Sequence, residues 1–276
     1  MTMDGWNKPN SLIVGSTSQL SNYFPNYYDR ISSRECFDDI KNKYWDTVYL
    51  CFGDNKTYLS DSRDSAVVNS FYKINYELTM KAVDIFTPLA RRVVVYSTAE
   101  LWNECSGAVN VETPFRFSPS YYTVSKYNLS VRLKDKKEYP NVSVIYPFNF
   151  NGVNRKGDFL FGKVFDSILN NKHIVLGDTY YYRDLSHPSL LARESRMSWS
   201  DVGKDFVVGS GRVVFVNDLI RSLYSEFDMK YDDYVEEKIS SHAHYRTHIY
   251  YSNNSNYSLN EPSLLQILVE ELKAVK

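Results

Sequence analysis

A chain of 276 residues, 43% apolar and 24% charged, is long enough to bury one large core, or a core with a smaller lobe. Its formal net charge of -1 excludes bulk attraction to nucleic acid or to an acidic membrane and leaves room only for local basic sites. Cys36, Cys51 and Cys105 are odd in number and far apart, so neither a metal spacing nor a disulfide framework is expected and a reducing compartment is. Met1 to Asn10 is polar and the apolar runs are short, which predicts neither a signal peptide nor a membrane span, and hence a cytoplasmic protein.

In chain order, Ser11-Leu12-Ile13-Val14-Gly15 reads as a short buried strand running into a glycine. A dinucleotide-binding turn uses three glycines: for the tight bend, for approach of the pyrophosphate, and for close helix packing. Here Gly15 is kept, while Ser18 and Ser21 stand at the other two positions. That pattern reads as an altered phosphate turn, or as a plain strand-turn-helix without a ligand. A second strand is expected around Tyr27 to Ile31, a short helix around Glu35 to Lys43, and a strong strand over Asp46 to Gly53. Only 53 − 15 = 38 positions separate the two glycine-ended strands, so an element of the usual βαβαβ half is expected to be trimmed. Where an acidic residue would favour NAD, the chain has Ser32-Ser33-Arg34, which favours NADP; Arg34 fits an ordinary surface residue equally well. Asn69 to Thr87 predicts a helix with Ile74, Leu78, Ala82 and Ile85 on its apolar face and Asn75 interrupting it, ended by Pro88.

The chemistry concentrates next. Val93-Val94-Val95-Tyr96 is a β-branched run that breaks into Ser97-Thr98-Ala99-Glu100, as a buried parallel strand does when it delivers reactive groups at its C-terminal end. Tyr122-x-x-x-Lys126 follows. On a helix these two share a face, so the ammonium can favour the phenolate and make Tyr122 a usable acid or base. Together these residues, 122 − 98 = 24 positions apart from Thr98 to Tyr122 with Pro114 and Pro119 between, resemble the extended short-chain dehydrogenase/reductase family.

The resemblance covers essentially the whole chain. It implies an α/β fold with a Rossmann-type doubly wound parallel sheet over about 1–150, joined by later strands at about 174–190, and a smaller substrate-binding lobe over 151–276. It implies NADP or NAD, held by Gly15, Ser16, Thr17, Ser18, Gln19, Leu20, Ser33, Arg34, Phe52, Gly53, Asn75, Ser97, Tyr122, Lys126 and Pro147. Asn75 falls where the family carries a structural or proton-relay asparagine; a solvent-facing side chain is the other reading. Asn141 to Asn149 reads as a further buried strand, with Tyr146, Pro147 and Asn149 where relatives have Arg-Pro-x-Asn. Arg155-Lys156-Gly157 through Phe165 resembles the substrate-lobe entrance of nucleotide-sugar enzymes.

After Ile174-Val175-Leu176-Gly177, the run Arg183-Asp184-x-x-His187 resembles the segment whose arginine faces a substrate diphosphate, a role suited to a planar guanidinium. Arg246 is a second such arginine, and Glu100, Asn149 and Lys163 complete the implied substrate contacts. His187 reads as structural. His242, His244 and His248 have no converging acid or thiol, so no metal is expected. Asp205 to Gly211 and the helix at Val216 to Ile220 fit the same lobe, and a C-terminal helix from about Pro262 is expected to bury Leu264, Leu265, Leu268 and Leu272.

The family's shared chemistry implies that Tyr122 takes a hydroxyl proton as hydride leaves the same sugar carbon, with Thr98 bonded to that oxygen and Lys126 holding the tyrosine and the cofactor ribose. Ser97-Thr98-Ala99-Glu100-Leu101-Trp102 resembles the Ser-Thr-Ser-Glu-Leu-Tyr of GDP-mannose 4,6-dehydratases, with Glu100 as catalytic glutamate. Ala99 and Trp102 depart from it. A nucleotide-diphosphate-sugar 4,6-dehydratase therefore leads, with 4-epimerase, 4-keto-reductase and a degenerate binding module open, and a homodimer through the helices of Asn75 and Tyr122 is expected.

Overall fold

The computed structural model describes residues 9–34, 40, 43–56, 59, 64–197, 201–238, 248–253 and 262–276. Strand β4, Ala90–Tyr96, is the spine of the first of two compact units, which comprises 1–101, 117–146 and 192–206. Val93, Val94 and Val95 are all at most 1% exposed, because both faces of a parallel strand are covered and an unbroken β-branched run suits it better than alternation. β1 (Ser11–Val14), β2 (Asp29–Ile31) and β3 (Trp45–Leu50) join it in the order β2-β1-β3-β4, followed by strands Val142–Pro147 and Phe206–Val208. The pairings β1–β2, β1–β3, β3–β4 and β4 with Val142–Pro147 are parallel. This is the doubly wound Rossmann-type sheet, with β2 at one edge.

The expected trimming falls on that edge. In the full dinucleotide fold another strand lies outside β2; here β2 ends the sheet, and the passage from β1 to β2 contains a single four-residue 3₁₀ helix, Leu20–Tyr23. Of the helix expected over 35–43, all but Ile40 and Lys43 lie outside the described residues.

The helix read as Asn69 to Thr87 differs in three ways. It starts earlier, as α1 (Ser65–Tyr72), where the Asp64 carboxylate caps it by accepting from the Ala66 N–H at 2.8 Å. It passes through a π-helical stretch, Lys73–Leu78, before α2 (Thr79–Phe86). That extra residue per turn rotates the buried face, so Phe71, Asn75, Thr79, Ala82, Val83 and Phe86 point inward while Ile74, Leu78 and Ile85 are half-buried.

The second unit comprises 102–116, 147–191 and 207–276. Its core is built from one stripe each of the helices Leu160–Asn170, Val216–Ser225 and Leu264–Val275. The last is started by a capping box between Ser263 and Gln266, and buries Leu264, Leu268 and Leu272 with Leu265 half-buried. The run at about 174–190, expected among the later strands of the nucleotide-binding core, pairs elsewhere. Ile174–Leu176 lies parallel to Val235–Glu237, and Tyr182–Ser186 sits between Val213–Phe215 and Asn149–Phe150. Cys51 and Cys105 are buried and unbridged, and among the described residues no helix is long and apolar enough to cross a membrane.

Candidate active site

All four residues read as catalytic lie in the first unit. β4 ends at Tyr96 and hands over to Ser97 and Thr98, 5% and 6% exposed. Ser97 is tied across to helix α3 (Tyr121–Leu133) by a 2.8 Å contact between its Oγ and that of Ser130. Thr98 Oγ1 accepts from the Glu100 N–H at 3.2 Å, which fixes the start of the 3₁₀ turn Ala99–Trp102 and leaves Glu100 half-buried two residues beyond the hydroxyl.

α3 begins where Ser120 and Thr123 cap each other, and this sets the phase of the helix. Tyr122 then falls in the first turn, 8% exposed, with its ring edge-on to Phe71. Lys126 lies one turn later on the same buried face, and its Nζ donates to the Tyr96 carbonyl at 2.9 Å. The ammonium is therefore anchored to the end of β4, beside the residue that precedes Ser97 and Thr98. Burial brings its pKa down to about 8, and the Asp54 carboxylate pulls the other way.

The end of β3 closes around the same ammonium. A Cβ on Gly53 would come 3.2 Å from Asn75 Oδ1 and 3.4 Å from Lys126 Nζ, so glycine makes room for both. Asn75 is fully buried, which removes the solvent-facing reading. Its Oδ1 accepts from the Asp54 N–H at 2.8 Å, and its Nδ2 donates to the Asp54 carbonyl at 2.9 Å and to Ser125 Oγ at 3.2 Å. The π-helical stretch is what turns Asn75 inward.

At the end of β1, Gly15 has φ +99° and a Cβ there would meet the Cys51 carbonyl group at 2.9 Å. The N–H groups of Gly15 and Ser16 both donate to the Ile31 carbonyl. Ser21 Oγ donates to the carbonyls of Ser16 and Ser18, and Ser18 Oγ accepts from the Ser21 N–H at 3.2 Å. The two serines in glycine positions thus bind the turn to itself. The support that a full crossover helix would give comes from Arg30, whose guanidinium donates to five carbonyls, those of Ser21, Phe24, Pro25, Asn26 and Tyr28. Thr17 is exposed, Ser16, Ser18 and Gln19 are half-buried and Leu20 is buried; Ser33 and Phe52 are half-buried and Arg34 is exposed. Gly15 and Gly53 end the two strands between which the chain order reverses, the crevice where such sheets take a dinucleotide. The glycine turn fits that use. A four-residue 3₁₀ helix offers no α-helical dipole, so any anion at this turn would depend on the turn's own groups.

The substrate residues lie in the second unit, apart from Glu100. Pro147 is half-buried, Asn149 and Lys163 are exposed, Arg183 is 4% exposed, and Arg246, His242 and His244 lie outside the described residues. The Arg183 guanidinium lies 5.5 Å from the Tyr181 ring and 5.6 Å from that of Tyr250. Asp184 is the anchor of this region: its carboxylate accepts from Ser210 N and Oγ, Gly211 N and Ser252 N, although burial pushes its pKa up. His187 is buried, with Nδ1 2.7 Å from Ser189 Oγ and Nε2 3.0 Å from Glu271 Oε1. A Cβ on Gly162 would fall 1.8 Å from the Lys156 carbonyl oxygen, so the basic loop lies directly on its helix, with Arg155 stacked 3.8 Å over Phe159. Among the described residues no three His, Cys, Asp or Glu side chains could hold a metal.

The reading of the sequence missed Arg30, Asp54 and Gly162. Asp54, directly after Gly53, carries a local signal, since a carboxylate at the end of a buried strand needs partners. Arg30 and Gly162 carry none, because their partners are carbonyls that every residue has.

Strand order and switch point define a Rossmann-type α/β fold. Among solved structures, RMD from Pseudomonas aeruginosa complexed with NADPH matches with TM-score 0.77 at 15% identity, over 96% of this chain and 98% of that one. DesIV, a dTDP-glucose 4,6-dehydratase from Streptomyces venezuelae with NAD and TYD bound, gives 0.76 at 13%, over 96% of each chain. A UDP-N-acetylglucosamine 4-epimerase from Methanobrevibacter ruminantium in complex with UDP-N-acetylmuramic acid gives 0.74 at 16%, over 97% and 98%. The likeness thus spans both units, and at these identities it is a likeness of fold. No family model and no curated protein matches the chain.

Proposed function

We propose that this protein is an NAD(P)-dependent enzyme of the extended short-chain dehydrogenase/reductase type, acting on a nucleotide-diphosphate sugar and beginning with oxidation at C4. The observation that carries this is that Lys126 Nζ is held 2.9 Å from the Tyr96 carbonyl, at the end of the strand that runs on into Ser97 and Thr98, with Tyr122 one turn earlier on the same buried helix face. A bound nicotinamide dinucleotide supplies the hydride acceptor. Gly15 to Leu20, Ser33, Arg34, Phe52, Gly53 and Pro147 would hold it, and the basic Arg34 beside Ser33 favours NADP.

Tyr122 accepts the proton of the sugar hydroxyl, Thr98 Oγ1 hydrogen-bonds that oxygen, and the Lys126 ammonium favours the phenolate. A free ammonium at pH 7 serves better than a neutral amine, and a value of about 8 leaves Lys126 mostly charged there. Arg183 and Arg246 meet the diphosphate charge, with Asn149 and Lys163 as further substrate contacts.

Glu100, two residues after Thr98 in its own 3₁₀ turn, is the carboxylate that a 4,6-dehydratase needs, and the dehydratase leads over 4-epimerase and 4-keto-reductase on the chain's resemblance to that branch. The Glu100 carboxylate would take the proton beside the new ketone while the C6 hydroxyl leaves as water. The hydride would return from the reduced nicotinamide to C6, so that the cofactor is regenerated and one water is lost in all. Mass spectrometry on a panel of GDP-, UDP-, CDP- and dTDP-sugars tests the reading. A product lighter by one water supports the dehydratase; an isobaric product means a 4-epimerase, and conversion only of keto sugars with reduced cofactor means a reductase. Turnover surviving in Tyr122→Phe would remove the catalytic assignment, and silence throughout would leave a binding module.

A homodimer fits the same reading. Tyr121, Val124, Tyr127 and Val131 are 49%, 41%, 36% and 47% exposed along one stripe of α3, and Tyr72 and Tyr76 stack at 5.0 Å on the helix packed beside it. Light scattering of Val131→Asp should give half the mass of the parent; a parent that is itself a monomer at working concentration would sink the dimer.

A further inference from the structure

Asp54 is a carboxylate in an unusual position: 9% exposed, at the end of a buried strand, and with no cation at salt-bridge distance among the described residues. Its environment fixes it at both ends. Asn75 grips its backbone N–H and carbonyl, while Ser70 Oγ donates to its Oδ2 at 2.7 Å and the Lys56 N–H to its Oδ1 at 3.3 Å. Ser70 comes from α1 and Asn75 from the π-helical stretch, so two turns of one helix hold a single aspartate. Burying a carboxylate against two neutral donors is costly unless a positive charge lies within reach.

The nearby positive charge is Lys126. Its Nζ is 3.4 Å from where a Gly53 Cβ would be, next to Asp54 in the chain. Among the described residues, the other groups found near it are uncharged: the Tyr96 carbonyl from the end of β4, Gly53 and the Asn75 amide. Asp54 is the charged side chain that bears on the ammonium, and it opposes the effect of burial.

We propose that Asp54 is a positioning residue for Lys126: held by Asn75 and Ser70, its negative charge keeps the buried ammonium charged and seated on the Tyr96 carbonyl. The proposal deepens the reading above, in which Lys126 serves Tyr122. Without the carboxylate, burial is unopposed and the amine loses its proton closer to neutrality. Asp54 thereby sets the upper edge of the pH range in which the tyrosine is served by a cation.

The test is Asp54→Asn, which keeps an acceptor for Ser70 and removes the charge. The ¹⁵Nζ resonance of Lys126, identified by its loss in Lys126→Met, is titrated in the protein without cofactor or substrate. Its midpoint should fall by about one pH unit, at the low end of what a nearby opposite charge contributes. Ser70→Ala, which leaves the charge and releases its tether, should shift it the same way by less, and serves if Asp54→Asn does not fold. Where a sugar is turned over, the alkaline limb of the rate should move by the same amount as the midpoint. An unmoved Lys126 midpoint in the folded variants would overturn the proposal, whatever the turnover. A shifted midpoint in a protein that converts no sugar upholds the Asp54–Lys126 coupling and counts against the enzymatic reading alone.

Discussion

Asn75 closes a two-point clamp on the backbone of Asp54, accepting from its N–H at 2.8 Å and donating to its carbonyl at 2.9 Å. One fully buried amide therefore satisfies both main-chain groups of the residue that follows β3, where no neighbouring strand pairs with them. Asn75→Leu keeps the volume and leaves both groups unpaired. Each such orphan costs about 1–3 kcal/mol. Urea unfolding should show a loss of roughly 2–5 kcal/mol, at the large end for a single substitution. A loss within the ordinary surface range would mean that water replaces the clamp.

Gly15 must be glycine for two separate reasons. Its φ of +99° is strained for a side-chain-bearing residue, and a Cβ would meet Cys51 backbone atoms at 2.9 Å. The conformation alone costs about 1–3 kcal/mol. Gly15→Ala should lower the melting temperature and weaken NADPH binding, measured by fluorescence titration, at least tenfold. Unchanged binding would show that the turn between β1 and β2 does not hold the dinucleotide.

Much of the fold was legible because its signals are local. The run Val93 to Val95 shows its burial by composition, Gly15 and Gly53 mark the two strand ends, and Ser263 with Gln266 announces the last helix. The shared buried face of Tyr122 and Lys126 on α3 was legible too, since their spacing of four fixes it. The apolar face of the Asn75 helix was misread because a π turn inserts one residue and rotates everything after it, an event that 3.6-residue periodicity cannot register. The pairing of 174–190 was misread because short strands carry little information about their partners. Arg30 acts through main-chain carbonyls, which leave no pattern in side-chain order, whereas Asp54 shows locally that it needs partners but not that Asn75, 21 positions on, is one of them.

Arg30 stands in for a missing helix. Its guanidinium gathers the carbonyls of Ser21, Phe24, Pro25, Asn26 and Tyr28, which a regular crossover helix would satisfy internally. Lysine cannot reproduce a planar five-donor fork. Arg30→Lys should therefore be almost as damaging as Arg30→Met, each costing about 2–4 kcal/mol as hydrogen bonds to a charged group are lost. Hydrogen exchange should locate the change in residues 16–28. Protection there equal to the parent would show that the 3₁₀ turn stands alone.

In the proposed reaction Lys126 sets stability against activity. Its pKa is lowered on folding from 10.5 to about 8, chiefly by burial, so between these values the unfolded chain binds more protons than the folded one. Stability therefore rises as the pH climbs from about 8 towards 10.5, and below 8 the fold bears the full cost of burying a charge. Lys126→Met removes that cost, and should be more stable than the parent at pH 7 by denaturant unfolding, with the difference shrinking as the pH rises past 8. The same variant should lose turnover, because Tyr122 is left without its cation. A variant less stable than the parent at pH 7 would mean that the hydrogen bond to the Tyr96 carbonyl outweighs desolvation, and that the ammonium is a structural pin before it is a catalytic one.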